Sequence, residues 1–148
     1  GLMAKSKRIG TAAESALVRY LTDQGLNARR VALAGVLDEG DVHVISRRGR
    51  VAVIEVKSGK QSEHPSHEKR RGWWDEAVRE SVNVGAAADV PILVMKRRGS
   101  GAASVGDWWA VIDYDDLMFL FGGQVGIGGP LVQITVGDLV SALKRAGY

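Results

Sequence analysis

Apolar positions change their period several times along the chain, and each change marks an element. Between residues 8 and 24, RIGTAAESALVRYLTDQ, the apolar groups Ala13, Leu17, Tyr20 and Leu21 recur at helical spacing, and Gly25 follows as a stop. The spacing predicts a first helix. LNARRVALAG reads as a strand ending at Gly35, VLDEG as a turn, and DVHVIS as a strand alternating with period two. RRGR predicts a hairpin turn around Gly49, and VAVIEVK, residues 51–57, a third strand. Residues 59–67 are polar and irregular, and a second helix is expected from about His67 to Ala88. VPILVMK follows as a buried fourth strand, RRGSGAASVGD as a flexible loop, and WWAVID as a fifth strand. DYDDLMFLFG predicts a short helix capped by Asp113, PLVQITV is expected to be extended, and GDLVSALKRAG predicts a last helix before Gly147.

This order gives an α/β class with a mixed central sheet of about five strands flanked by helices. The second helix serves as a crossover to a parallel strand. No internal repeat is visible, so residues 1–148 are read as one domain. Residues 1–7 are expected to be a basic arm or, with Gly1-Leu2 ahead of Met3, a cloning remnant. Residues 123–148 are expected to be a C-terminal extension with a terminal helix.

Composition narrows the chemistry. The 148 residues include no cysteine, which excludes disulfides and thiolate metal sites and favours an intracellular, cytoplasmic setting. No apolar run approaches the ~18 residues that a membrane-spanning helix needs, so no membrane partner is expected. The net charge is only +3, but it is unevenly spread. Between Arg47 and Arg71, the bases Arg47, Arg48, Arg50, Lys57, Lys60, Lys69, Arg70 and Arg71 face only Glu55, Glu63 and Glu68. Further basic groups are Lys5/Lys7/Arg8, Arg29/Arg30 and Lys96/Arg97/Arg98. Such a cluster taken singly is a solvated turn; several of them, with a pI of 9.4, favour a polyanion such as nucleic acid.

The third strand carries the sharpest feature. Glu55 and Lys57 are two residues apart at its end and therefore leave the same face. Asp41 begins the second strand, and a hairpin between the two strands brings Asp41, Glu55 and Lys57 to one end of the sheet. Two carboxylates there suit Mg²⁺ or Mn²⁺. Lys57 beside them is placed to position or deprotonate a water, or to stabilise charge on a phosphate. Glu14, among the small residues Ala12, Ala13 and Ala16 of the first helix, is the candidate third acid. The plain alternative is an exposed charge pair at a strand end. Asp38 and Glu39 compete with Asp41 for the metal role, but they lie in the turn and Asp41 on the strand.

The ordered segments GTAAESALVRYLTDQGLNARRVALAG, GDVHV and VAVIEVKSGK, followed by VPILVMKRRG and DWWAVID, resemble the PD-(D/E)XK nuclease superfamily. The likeness is greatest to Holliday-junction resolvases of the archaeal type and to resolvase-like proteins of phages infecting actinobacteria. It covers roughly residues 7–121. The resemblance implies a restriction-endonuclease-like core in α-β-β-β-α-β order, with Glu14, Asp41 and Glu55 as Mg²⁺ or Mn²⁺ ligands and Lys57 as the catalytic lysine. It also implies that Arg29 or Arg30 contacts phosphate, that the protein acts as a homodimer, and that a phage-encoded copy works in the host cytoplasm. Two positions depart from the pattern. Ala34-Gly35 stands where the family often has Ser before Gly, and Gly40 replaces the proline of the signature.

The expected activity is Mg²⁺-dependent hydrolysis of phosphodiesters in branched DNA, foremost four-way junctions. Arg8, Arg29, Arg30, Lys60, Lys69, Arg70 and Arg71 are the expected backbone contacts. Other readings are a nuclease for forks, flaps or nicked duplex, and a catalytically silent DNA-binding module on the same fold. Among the remaining features, His64 and His67 flank Pro65 in a loop that is exposed by default or contacts phosphate. Of Trp73-Trp74 and of Trp108-Trp109, one indole each belongs in the core and the other at a rim that a base or a second subunit would cover. Glu76 and Glu80, an i, i+4 pair, are expected on a solvated helix face, with an outer-sphere contact to metal as the alternative. The apolar run LMFLFG, residues 117–122, is either a dimer surface or a cap on the core. GSGAASVG and GGQVGIGGP lack the context of phosphate-binding loops.

Overall fold

The computed structural model describes residues 2–32, 35 and 37–148, with side chains from Gly10 onward. Six strands form one sheet in chain order: β1 (Ala28–Arg30), β2 (Val42–Ile45), β3 (Val51–Lys57), β4 (Ala88–Met95), β5 (Trp109–Asp113) and β6 (Leu131–Thr135). All neighbours are antiparallel except β3 and β4, which run parallel. The helices are α1 (Leu2–Asp23), α2 (His67–Val84), α3 (Tyr114–Leu120) and α4 (Val136–Arg145). The parallel pair needs a crossover, and α2 is that crossover.

Both faces of the sheet are covered, which explains why β3 and β4 read as continuous apolar runs. On one face Ala52, Ile54, Val90, Ile92 and Val94 pack with Leu17 and Leu21 of α1 and Leu139 and Leu143 of α4. On the other, Leu93, Met95 and Val111 pack with Trp74 of α2. Leu17, Leu21, Leu139 and Leu143 are fully buried, each contributing roughly 1.5–3 kcal/mol by removal from water.

Several boundaries differ from those the sequence predicts. A sixth strand exists because the segment expected only to be extended pairs with β5, Ala110 opposite Ile134. Residues 131–145 thus complete the sheet and its core rather than trailing from it. The chain before Arg8, expected as an arm, is helical from Leu2. The first strand is confined to Ala28–Arg30, with further ladder bonds from the Ile45 amide to the Asn27 carbonyl and from the Val31 amide to the Asp41 carbonyl, each at 2.9 Å; Leu33 and Ala34 lie outside the described residues. Helix α2 stops at Val84, not Ala88, because Gly85 adopts φ +94°, a backbone conformation closed to other residues, and Ala88 already pairs with Val51. The caps follow local chemistry: Ser66, Asp113 and Thr135 accept the first free amides of α2, α3 and α4. Trp74 and Trp108 are the core members of the two tryptophan pairs. Leu117, Phe119 and Leu120 pack against the core, which leaves Phe121 as the exposed apolar group of that run. No helix among the described residues is long and apolar enough to cross a membrane.

Candidate active site

The hairpin β2–β3 closes through Ser46 and Gly49, and its register sets Val42 opposite Ile54. One residue earlier, Asp41 is locked at the ladder's end. Its amide donates to the Ile54 carbonyl at 2.9 Å, and its Oδ2 accepts the Val56 amide at 2.8 Å. This clamps Asp41 beside Glu55. Residues 53, 55 and 57 of β3 share the face that α2 covers, so Glu55 and Lys57 point into the layer between sheet and helix. The Lys57 Nζ lies 3.5 Å from Glu55 Oε1 and 3.1 Å from Glu76 Oε2 of α2. It also sits 5.8 Å from the centre of the Trp73 ring, as does the Lys69 ammonium.

Glu76 and Glu80 are not on a solvated face. Glu80 is 2% exposed, and neither of its carboxylate oxygens has a hydrogen-bond partner among the described residues. The sequence did carry a signal. Trp73, Ala77, Glu80 and Val84 recur at spacings of four, three and four, so Glu80 occupies the apolar stripe of α2.

The electrostatics follow from burial. Desolvation pushes the Asp41 carboxyl up to about 8, with the Glu55 charge adding to it. Desolvation pushes Glu55 up to about 9, with the facing Glu80 carboxyl next in effect. Glu80 itself is raised to about 7 by burial. Two facing carboxylates are both acceptors, so they bond only by sharing a proton. Burial works against the Lys57 ammonium, but Glu55 and Glu76 outweigh it and hold its pKa above the ordinary value. Crowded carboxylates such as Asp41, Glu55 and Glu80 are oxygen donors of the kind that could hold a hard divalent cation, whose charge would offset their mutual repulsion. The orphaned Glu80 oxygens fit that occupant as well.

Glu14 of α1 has a partner of its own. Its Oε2 accepts from Arg30 Nε at 3.2 Å and Nη2 at 3.0 Å, and it affects Asp41 only as a minor, more distant charge. Arg30 is thereby engaged in an ion pair, whereas Arg29 is exposed. Lys60, Lys69 and Arg71 are exposed; Arg71 lies 3.9 Å from Asp75, and Arg70 donates to Gln133 at 3.1 Å. The side chain of Arg8 lies outside the described residues.

The loops after β3 and β4 are tied together immediately beyond Lys57. The Lys96 amide donates to the Lys57 carbonyl at 2.9 Å, and Ser62 Oγ donates to the Lys96 carbonyl at 3.1 Å. Two adjoining open grooves meet there. One is lined by His64, His67, Arg70, Arg97, Arg98 and Trp109, the other by Lys60, Lys96, Arg97 and Arg98. The Arg97 guanidinium stacks 4.5 Å from the Trp109 ring centre. The sequence offers Lys60 and Arg70 as backbone contacts but not Lys96, Arg97 or Arg98, because nothing local says that strands 3, 4 and 5 bring them to one edge.

No protein-family model and no curated protein sequence matches the chain. A solved structure does: Hjc, a Holliday junction resolvase from the archaeal hyperthermophile Archaeoglobus fulgidus, at 20% identity and TM-score 0.51. The match covers 88% of this chain and 99% of that one. The fold is therefore restriction-endonuclease-like, a mixed α/β sheet flanked by helices, as in Hjc.

Proposed function

We propose that this chain is a metal-dependent endonuclease of the PD-(D/E)XK type acting on branched DNA, most simply on four-way junctions. The observation that carries the reading is the buried Asp41–Glu55–Lys57 group at the end of β3, on a fold shared with a junction resolvase. Asp41 and Glu55 would hold Mg²⁺ or Mn²⁺, which when bound supplies positive charge to a phosphodiester and to a water beside it. Lys57 has its pKa held above the ordinary value by Glu55 and Glu76, which favours the ammonium form. Its part is to donate hydrogen bonds to the phosphate oxygens and to offset the charge that grows on them. The basic grooves beyond Lys57 orient the sugar–phosphate backbone towards the carboxylates. Trp109, backed by Arg97, offers a face on which an unpaired base can stack.

The test is incubation with a synthetic four-way junction and a matched linear duplex, in Mg²⁺ and in EDTA. Junction cleavage that needs Mg²⁺ and disappears in Asp41→Asn is expected; binding without cleavage would leave a silent module. The resolvase form of the reading further requires a homodimer, because resolution takes two symmetric nicks across one junction. Light scattering with and without junction is expected to give twice the 15.9 kDa chain mass. A monomer in both conditions leaves a simpler nuclease.

A further inference from the structure

We propose that Glu80, with Glu76 and Asp38, forms a second position for a divalent cation, on the α2 side of the Asp41–Glu55 pair. Gly40 sets the turn that carries Asp38 to it. The φ of +93° at Gly40 turns the chain sharply before β2, and a Cβ there would stand 2.9 Å from Val53 Cγ1 and 3.6 Å from Glu80 Oε2. Neither proline nor any other residue with a side chain is accommodated at that backbone angle. The turn is pinned on both sides: Asp38 Oδ1 accepts the Gly40 amide at 2.9 Å, and Asn83 Nδ2 of α2 donates to the Asp38 carbonyl at 2.8 Å. These bonds hold the turn against α2 at the level of Glu80.

One oxygen from each of Asp38, Glu76 and Glu80 lies within 4.8 Å of the others. An acidic cluster alone says little, since surface acids gather without a ligand. Here one of the three is different in kind. Glu80 is buried with no donor reaching either oxygen; its close polar neighbour is the Glu55 carboxyl, itself an acceptor unless one of the two holds a proton, whereas buried carboxylates are otherwise bonded to donors or ion-paired. Lys57 reaches Glu76, but no bond from it reaches Glu80 among the described residues. The cluster opens to solvent through a groove of about 410 Å³ lined by Asp38, Glu76, Arg79, Glu80 and Asn83, which gives an ion a way in. An all-carboxylate set with no histidine or thiolate selects a hard cation, Mg²⁺ or Mn²⁺, that keeps several of its waters. The alternative occupant of Glu80 is a proton.

The position is independent of the nuclease reading, because cation binding is read without DNA. Mn²⁺ is titrated into the full-length chain, and free Mn²⁺ is counted by electron paramagnetic resonance, in the wild type, Asp41→Asn, Glu80→Gln and Asp38→Asn. Two bound equivalents are expected in the wild type. Asp41→Asn should weaken one of them, Glu80→Gln the other, and exposed Asp38→Asn should lower the affinity of that second one by roughly tenfold or more. Asp38→Asn keeps its acceptor for the Gly40 amide, so it reports on the site even if Glu80→Gln fails to fold. Unchanged stoichiometry and affinity in Asp38→Asn and in folded Glu80→Gln would overturn the proposal and leave Glu80 a protonated core acid. A single equivalent abolished by Asp41→Asn would overturn it too. Two Mn²⁺ bound with every junction left uncut would sink the nuclease reading and leave this position standing.

Discussion

Lys57 makes contacts that separate chemistry from binding. Its ammonium is held between Glu55 and Glu76 and is only partly exposed, so it contributes little to the long-range attraction of DNA. Lys57→Ala is expected to lower cleavage by roughly 10²-fold or more in single-turnover assays, while the junction dissociation constant changes little. Equal loss of both would make Lys57 a phosphate anchor. The carboxyls beside it give a pH dependence with a definite sign. Asp41, Glu55 and Glu80 have folded-state pKa values near 8, 9 and 7, above the ordinary carboxyl values they regain on unfolding. Between about pH 4 and 9 the folded chain therefore binds more protons than the unfolded one, and stability falls as pH rises. Melting curves in EDTA are expected to drop progressively from pH 5 to pH 9, and saturating Mg²⁺ to flatten that decline. A melting temperature in EDTA that is level or rising over this range would contradict the burial of these acids.

At the scale of elements, α2 and α4 have opposite relations to their own sequences. Helix α4 is legible: Leu139, Leu143 and Ala142 make one apolar face, Thr135 caps its start, and all three apolar groups are buried. What its sequence does not say is where that face goes. In the fold it docks on the same core as α1, and beyond it the Tyr148 hydroxyl donates to Asp89 Oδ2 at 2.6 Å. Leu143→Ala is therefore expected to cost about 2–5 kcal/mol in urea unfolding, in a single transition seen equally by circular dichroism and tryptophan fluorescence. A separate, early transition would mark α4 and β6 as an appendage. Helix α2 reads as half solvated, because glutamates and arginines dominate it. Two of its acids are in fact turned toward β3, with Trp74 and Ala77 as the apolar contacts that hold the helix there.

Across the molecule, two groups of cations stand out. Arg30, Arg50 and Arg71 lie beside Glu14, Asp89 and Asp75 and are partly neutralised by them. Lys60, Lys96, Arg97 and Arg98 line the groove beyond the end of β3, with Glu63, 3.9 Å from Arg98, as the nearby acid. If this edge carries the DNA backbone, neutralising Arg97 and Arg98 should reduce the slope of log affinity against log salt by roughly one for each phosphate no longer neutralised. Arg71→Ala should leave the slope near its original value. A slope unchanged in both would return the groove to an ordinary solvated rim.

The order helix, hairpin, helix, strand was legible in the sequence because periodicity and glycine stops are local properties. So was the meeting of Asp41 with Glu55 and Lys57, since hairpin register follows from one short turn around Gly49. Distance in the chain hid the rest. Glu80 comes to face Glu55 only because the parallel β3–β4 crossover lays α2 over that side of the sheet. Arg97 reaches the groove beyond Lys57 only because β4 ends beside β3. Glu14 reads with Asp41 and Glu55 as a third acid, and the ion pair that the fold gives it with Arg30 has no local signal. Gly40 reads as a tolerated replacement for proline; the fold gives it a φ of +93° and sets it so close to Val53 that a side chain would clash there. Local patterns set which segments are helix or strand, whereas the burial of a charge and the identity of its neighbours depend on which segments pack together, and the sheet decided that.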